Sequence, residues 1–111
     1  MFMIMYVLND PDRLNEVLEA WESANIPGAT IIESTGMHRQ RRKFIPMRYI
    51  TPIFEDEESH LTLITLVKDE SLIQTCLEAT ERVVGDLGEP NTGVFTAWPV
   101  AFVKGLEQDN A

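Results

Sequence analysis

The first eight residues, Met1–Leu8, are apolar without interruption. A run of strand length with no polar position to mark a wet face predicts a strand buried in the middle of a sheet. Asn9-Asp10-Pro11 ends it. Asp10 suits a helix N-cap, and Pro11 suits the first helical position, where a missing N–H costs nothing. Leu14, Val17, Leu18 and Trp21 then recur at three- and four-residue intervals, the buried stripe of a helix, while Arg13, Glu16, Glu19 and Glu22 fall mostly on the opposite, wet side. Pro27-Gly28 is the expected stop of that helix.

Ala29–Thr35 mixes β-branched and polar residues and reads as a second strand. Leu61–Val67 alternates as a third, with Leu61, Leu63 and Thr65 on one side and Thr62, Ile64 and Leu66 on the other. Asp69-Glu70-Ser71 opens a second helix with acids where the helix dipole favours them. Its stripe is Leu72, Ile73, Cys76, Leu77, Val83 and Val84, and Gly85 and Gly88 bracket its exit. Val94–Trp98 is a fourth strand, and Pro99 suits an edge or a strand end. The order predicts an α+β fold in one domain, residues 1–111: a ferredoxin-like βαββαβ sandwich. Two helices would cover one face of a four-stranded antiparallel sheet, with a long insert between strands 2 and 3. Met1, Met3, Met5, Val94 and Trp98 cannot all point towards two helices, so the second face calls for cover by another copy of the chain. Trp21, Trp98, Phe95 and Phe102 read as packing residues, and the polar tail 107–111 carries no ordering signal.

The insert, about residues 37–60, is the least regular stretch, and loops of that length in small domains tend to have a function of their own. Its charge is segregated. Arg39, Arg41, Arg42, Lys43 and Arg48 are five of the nine basic residues of the chain, and Glu55-Asp56-Glu57-Glu58 follow them. The chain as a whole has 18 acids and a net charge of −9. An acidic body repels phosphate backbones and anionic lipid, which argues against nucleic-acid partners, whereas a local basic site on it attracts a small anion. Phe44, Ile45, Met47, Tyr49, Ile50, Ile53 and Phe54 give the loop an apolar centre, and Pro46 and Pro52 keep it irregular. It reads either as a loop folded back on its own protein or as an arm whose apolar tip docks a protein partner.

Phosphate-loop, dinucleotide, zincin and nucleophile-elbow patterns are missing, and no acid, base and nucleophile converge in the sequence, so catalysis is not expected. The single cysteine, Cys76, lies on an apolar stripe and reads as a core thiol. His38 and His60 flank the insert and could meet at a metal with Glu57 or Glu58, although two histidines without a spacing signature make a weak case. The apolar start has no basic flank and is shorter than the ~20 residues a spanning helix needs, so a soluble cytoplasmic protein without membrane insertion is expected.

Two segments carry a resemblance. Ala29-Thr30-Ile31-Ile32-Glu33-Ser34-Thr35-Gly36-Met37-His38-Arg39-Gln40, after Ile26-Pro27-Gly28, resembles the second strand and T-loop entry of the PII signal-transduction family. Gly93-Val94-Phe95-Thr96-Ala97-Trp98-Pro99-Val100 is similar to that family's B-loop exit, fourth strand and closing Pro-Val. The likeness spans nearly the whole chain. It implies a compact homotrimer whose T-loops signal to a transporter or enzyme. It also implies effector sites in the clefts between subunits for an adenine nucleotide (ATP or ADP, with or without magnesium) and a small carboxylate. By position, Thr30, Gly36, His38, Arg39 and Gln40 would stand on the T-loop side of the cleft, and Thr92 and Gly93 on the B-loop side. Arg41, Arg42, Lys43, Phe44, Tyr49 and Phe54 would form the partner-binding arm. Tyr49 is similar in placement to the modifiable tyrosine of some PII proteins, but its surroundings differ, and it reads as a buried or docking aromatic.

The chain also departs from the pattern. Val94 follows Gly93 where the family has a phosphate-binding lysine, and Lys104-Gly105-Leu106-Glu107 stands where it has two arginines. His38 replaces a glycine before Arg39. Three charge-assisted contacts, each worth about 1.5–3 kcal/mol, are thereby gone, leaving Lys104 or the Arg39–Lys43 cluster to hold an anion. The expectation is a divergent PII-like regulator that senses a small anionic effector. The alternative is a structural or divalent-metal-binding trimer resembling the CutA branch of the same architecture, resting on His38, His60 and the acidic run.

Overall fold

The computed structural model describes residues 1–34, 60–90 and 92–106. These hold four strands, β1 (Phe2–Leu8), β2 (Thr30–Ser34), β3 (His60–Val67) and β4 (Val94–Pro99), and two α-helices, α1 (Leu14–Ser23) and α2 (Ser71–Val84). The strands form one antiparallel sheet in the order β2-β3-β1-β4. The result is an α+β domain with a four-stranded antiparallel sheet and two helices, compatible with a ferredoxin-like fold. The strand that is apolar throughout, β1, is central, and the strand that ends on a proline, β4, is an edge.

The start of the first helix is subtler than its stripe suggests. Asp10 accepts the Asp12 N–H on its carboxylate at 3.0 Å and the Arg13 N–H on its carbonyl at 3.0 Å, closing a single 3-10 turn over Pro11–Arg13 before α1 begins. The expected stop at Pro27-Gly28 also comes early. Asn25 takes the left-handed conformation at φ +66°. Its N–H bonds the Glu22 carbonyl at 3.0 Å, and the Ile26 N–H bonds the Trp21 carbonyl at 2.9 Å. That pair of bonds is a Schellman ending, completed by burial of both Ile26 and Trp21. Gly85, at φ +94°, ends α2 where expected.

Alternation sorts the sheet into two faces. Ile4, Tyr6 and Leu8 of β1 and Leu63 and Val67 of β3 meet Val17 and Trp21 of α1 and Cys76 and Ala79 of α2 in one core. The helices are joined at its centre, where the Trp21 indole N–H donates to the Thr80 hydroxyl at 2.8 Å and that hydroxyl donates to the Cys76 carbonyl at 2.8 Å. Ala79 and Thr80 are thus the buried centre of α2, a place the apolar stripe alone gave to its larger neighbours. Arg13 is not simply a wet-face residue. Its guanidinium donates to the Val83 carbonyl in the last turn of α2 at 2.8 Å and to Glu16 at 2.8 Å.

No helix among the described residues lies over the other sheet face. Its residues follow from the register in three cross-strand rows: Leu66, Met3 and Trp98; Thr30, Ile64, Met5 and Thr96; Ile32, Thr62, Val7 and Val94. Trp98 is 43% exposed there, because it pairs with Met3 on the side away from the helices. Phe102 is 78% exposed beyond the end of β4, against the expectation that it packs. No helix among the described residues is long and apolar enough to cross a membrane.

Candidate functional site

Of the residues singled out for an effector, Thr30, Thr92, Gly93 and Lys104 are described. Gly36, His38, Arg39, Gln40, Arg41, Arg42, Lys43, Phe44, Tyr49 and Phe54 lie outside the described residues, as does the tail 107–111. His60 opens β3 opposite Ser34 and is half-buried. Among the described residues no group of three or more His, Cys, Asp or Glu side chains could hold a metal ion.

Thr30 opens β2 on the face away from the two helices, in the row of Ile64 and Met5. It is exposed, and it borders a groove of about 430 Å³ whose walls are Met3, Ile64 and Leu66 of the sheet, the Pro27–Ala29 turn, and Leu106. The Thr65 hydroxyl ties that turn to the sheet by donating to the Gly28 carbonyl at 2.6 Å. Leu106 brings the C-terminal segment to Thr30, and Lys104, two residues earlier, is exposed. The groove is apolar apart from Thr30, Thr65 and backbone groups. Alternation of β3 foretold Ile64 and Leu66 in its wall, but nothing in the sequence pattern foretold Leu106.

Thr92 and Gly93 form the corner that leads into β4. Three features hold it. The buried Tyr6 hydroxyl donates to the Thr92 carbonyl at 2.6 Å. The Thr92 hydroxyl donates to the Glu89 carbonyl at 2.8 Å. Gly93 has φ +111°, and a Cβ built on it would stand 2.3 Å from the Val7 carbonyl oxygen and 2.9 Å from the Tyr6 hydroxyl, so only glycine fits. Burial pushes the Tyr6 phenol up to about 12, so it remains a donor over the whole neutral range. Thr92 also lines a small polar recess, about 210 Å³, with Leu8, Asp10, Arg13 and Val84. Arg13 uses one N–H on Val83 and one on Glu16, and a guanidinium has five. The helical pattern gave no hint of this role, because it assigned Arg13 to solvent.

Within one chain the two halves of the expected cleft stay apart. Thr30 is on β2 and Thr92-Gly93 leads into β4, the two opposite edges of the sheet. Three strand spacings separate them, at least about 14 Å. Beside Thr30 the chain offers a hydroxyl and backbone groups, and beside Thr92 a hydroxyl and the Arg13 guanidinium. Cys76 is not available as a nucleophile: it is fully buried, and burial pushes its thiol up to about 12. Compared with known proteins, the chain matches no protein-family model and no curated sequence.

Proposed function

We propose that the protein is a PII-like regulator: a non-enzymatic, cytoplasmic homotrimer of ferredoxin-like βαββαβ chains. It senses a small anionic effector in the clefts between subunits and acts on a protein target, a transporter or an enzyme, through the loop 37–60. The candidate effectors are ATP and ADP, with or without magnesium. The observation that carries the reading is the placement of Thr30 and the Thr92-Gly93 corner on opposite sheet edges, flanking a face of Met3, Met5, Ile64, Leu66, Val94 and Trp98 that no helix of the described residues covers. A site that uses both edges needs a second copy, and an apolar face of this kind is suited to cover by one. On this reading Thr30, Gly36, His38, Arg39, Gln40, Thr92, Gly93 and Lys104 contribute to the effector site, and the segregated charge of the insert draws the anion to it.

Two measurements test this. Sedimentation equilibrium is expected to return three times the 12.6 kDa of one chain; a single-chain mass removes the shared site. A thermal-shift series with ATP, ADP, AMP, cyclic nucleotides, bicarbonate and 2-oxoglutarate, each with and without magnesium, is expected to show stabilisation by one anion. At a hundred times its dissociation constant a ligand contributes about 2.7 kcal/mol, well within reach of such a scan. A flat response to every anion refutes the sensing role.

A further inference from the structure

We propose that Tyr6 is a positioning residue for the effector site, its buried hydroxyl locking the backbone of the Thr92-Gly93 corner in the conformation in which that corner borders the site. The inference rests on the reading above that this corner faces the effector.

Tyr6 sits in the middle of β1, the central strand, with its ring in the core and fully buried. A tyrosine there needs a partner for its hydroxyl. It finds the carbonyl of Thr92, 86 residues away in sequence, at 2.6 Å. The bond goes to the backbone of the corner and not to a side chain, so it acts on the path of the chain itself. Gly93 reinforces it from the other side. Its missing side chain lets the corner close onto the Val7 carbonyl and the Tyr6 ring edge, and Phe95 packs its ring 6.3 Å from that of Tyr6. The corner is therefore clamped from below by a phenol, next to the recess that Thr92 shares with Arg13 and Asp10. The loop it terminates begins at another left-handed glycine, Gly85. Between them the Leu87 N–H bonds the Glu81 carboxylate at 3.0 Å and the Gly88 N–H bonds that of Asp86 at 2.8 Å. The first bond ties the loop to α2 and the second is internal to the loop. The phenol ties the corner to the central strand.

The test is Tyr6→Phe, which removes one oxygen and keeps the ring and the core volume. Hydrogen exchange is read without ligand at Gly93 and Val94, with the amides of Leu63 and Val67 as the internal standard for global stability. The affinity for magnesium–ATP and magnesium–ADP is read by calorimetry well below the melting temperature. In Tyr6→Phe the Gly93 and Val94 amides are expected to exchange about tenfold faster relative to Leu63 and Val67, and the dissociation constant of whichever nucleotide binds the wild type is expected to rise about tenfold. Unchanged relative exchange overturns the lock. Faster exchange with unchanged affinity overturns the positioning role, since a merely structural tyrosine moves the melting temperature and leaves binding alone. If the wild type binds neither nucleotide, the nucleotide reading fails by itself, and the exchange comparison still decides the lock.

Discussion

Thr80 shows how much one buried hydroxyl can do. It accepts from the Trp21 indole and donates to the Cys76 carbonyl, so a polar atom at the centre of the helix layer is satisfied on both sides. Thr80→Val keeps the shape and strands the indole N–H. It is expected to cost about 1–3 kcal/mol in urea unfolding, with Thr80→Ser costing less if the hydrogen bonds and not the methyl dominate. Two acidic hydrogens nearby make an alkaline prediction. The Cys76 thiol rises from 9.0, and the Tyr6 phenol from 10.0, each to about 12 on folding. Between those values the unfolded chain has lost protons that the native one still holds. Stability is therefore full below pH 9 and falls as pH rises towards 12. A urea midpoint that declines from about pH 9 in the wild type and less steeply in Cys76→Ala checks the sign, and a midpoint that rises there contradicts it. Native Cys76 should also resist a thiol reagent at neutral pH until the protein unfolds.

At the scale of elements, helix ends repay attention. Asn25 closes α1 at φ +66°, a conformation that costs residues other than glycine free energy and costs asparagine less than most. Asn25→Gly is expected to be neutral or to stabilise, and Asn25→Ala to destabilise by about 1 kcal/mol, both read as denaturation midpoints. Arg13 caps the last turn of α2 from the entry to α1, so Arg13→Gln should loosen the packing of one helix on the other. A double-mutant cycle with Glu16 is expected to assign the exposed ion pair under about 1 kcal/mol, leaving the rest to the Val83 carbonyl. These ends also mark what the sequence could tell. The apolar periods of Met1–Leu8, Leu61–Val67 and the α1 stripe are strong local signals, and with the β-branched runs at Ala29–Thr35 and Val94–Trp98 and the stripe from Leu72 to Val84 they made four strands and two helices legible. The true stop at Asn25 was hidden because Pro27-Gly28 is the louder signal two residues on. Arg13 was misread because its partner is 70 residues away. The Tyr6–Thr92 bond and the groove wall at Leu106 were invisible for the same reason: local pattern carries no information about which distant backbone atom a side chain will meet.

For the whole molecule the deciding surface is the sheet face away from α1 and α2. Met5 lies in its middle row, between Ile64 on one side and Thr96 on the other. A charge placed there would have to be desolvated in any assembly that covers the face. Met5→Glu is expected to sediment as a single 12.6 kDa chain with an unchanged far-ultraviolet spectrum, whereas retention of a larger mass would show that the copies meet elsewhere. Thr30 and the Thr92-Gly93 corner were both picked out in the sequence, yet their separation across the sheet was not, because strand order is a property of the complete fold.

That strand order has a consequence for how the protein comes into being. Of the four described strands the one made first is central, and the two strands it pairs with are made much later: β3 from His60 onward and β4 from Val94 onward. Its ladder is closed by long-range encounters, which slow folding and lengthen the exposure of an apolar edge. A nascent chain interrupted before Val94 holds an apolar strand with one side unpaired. Such a fragment is a natural client for chaperones, since among the described strands the earliest waits for the latest before both its sides are paired.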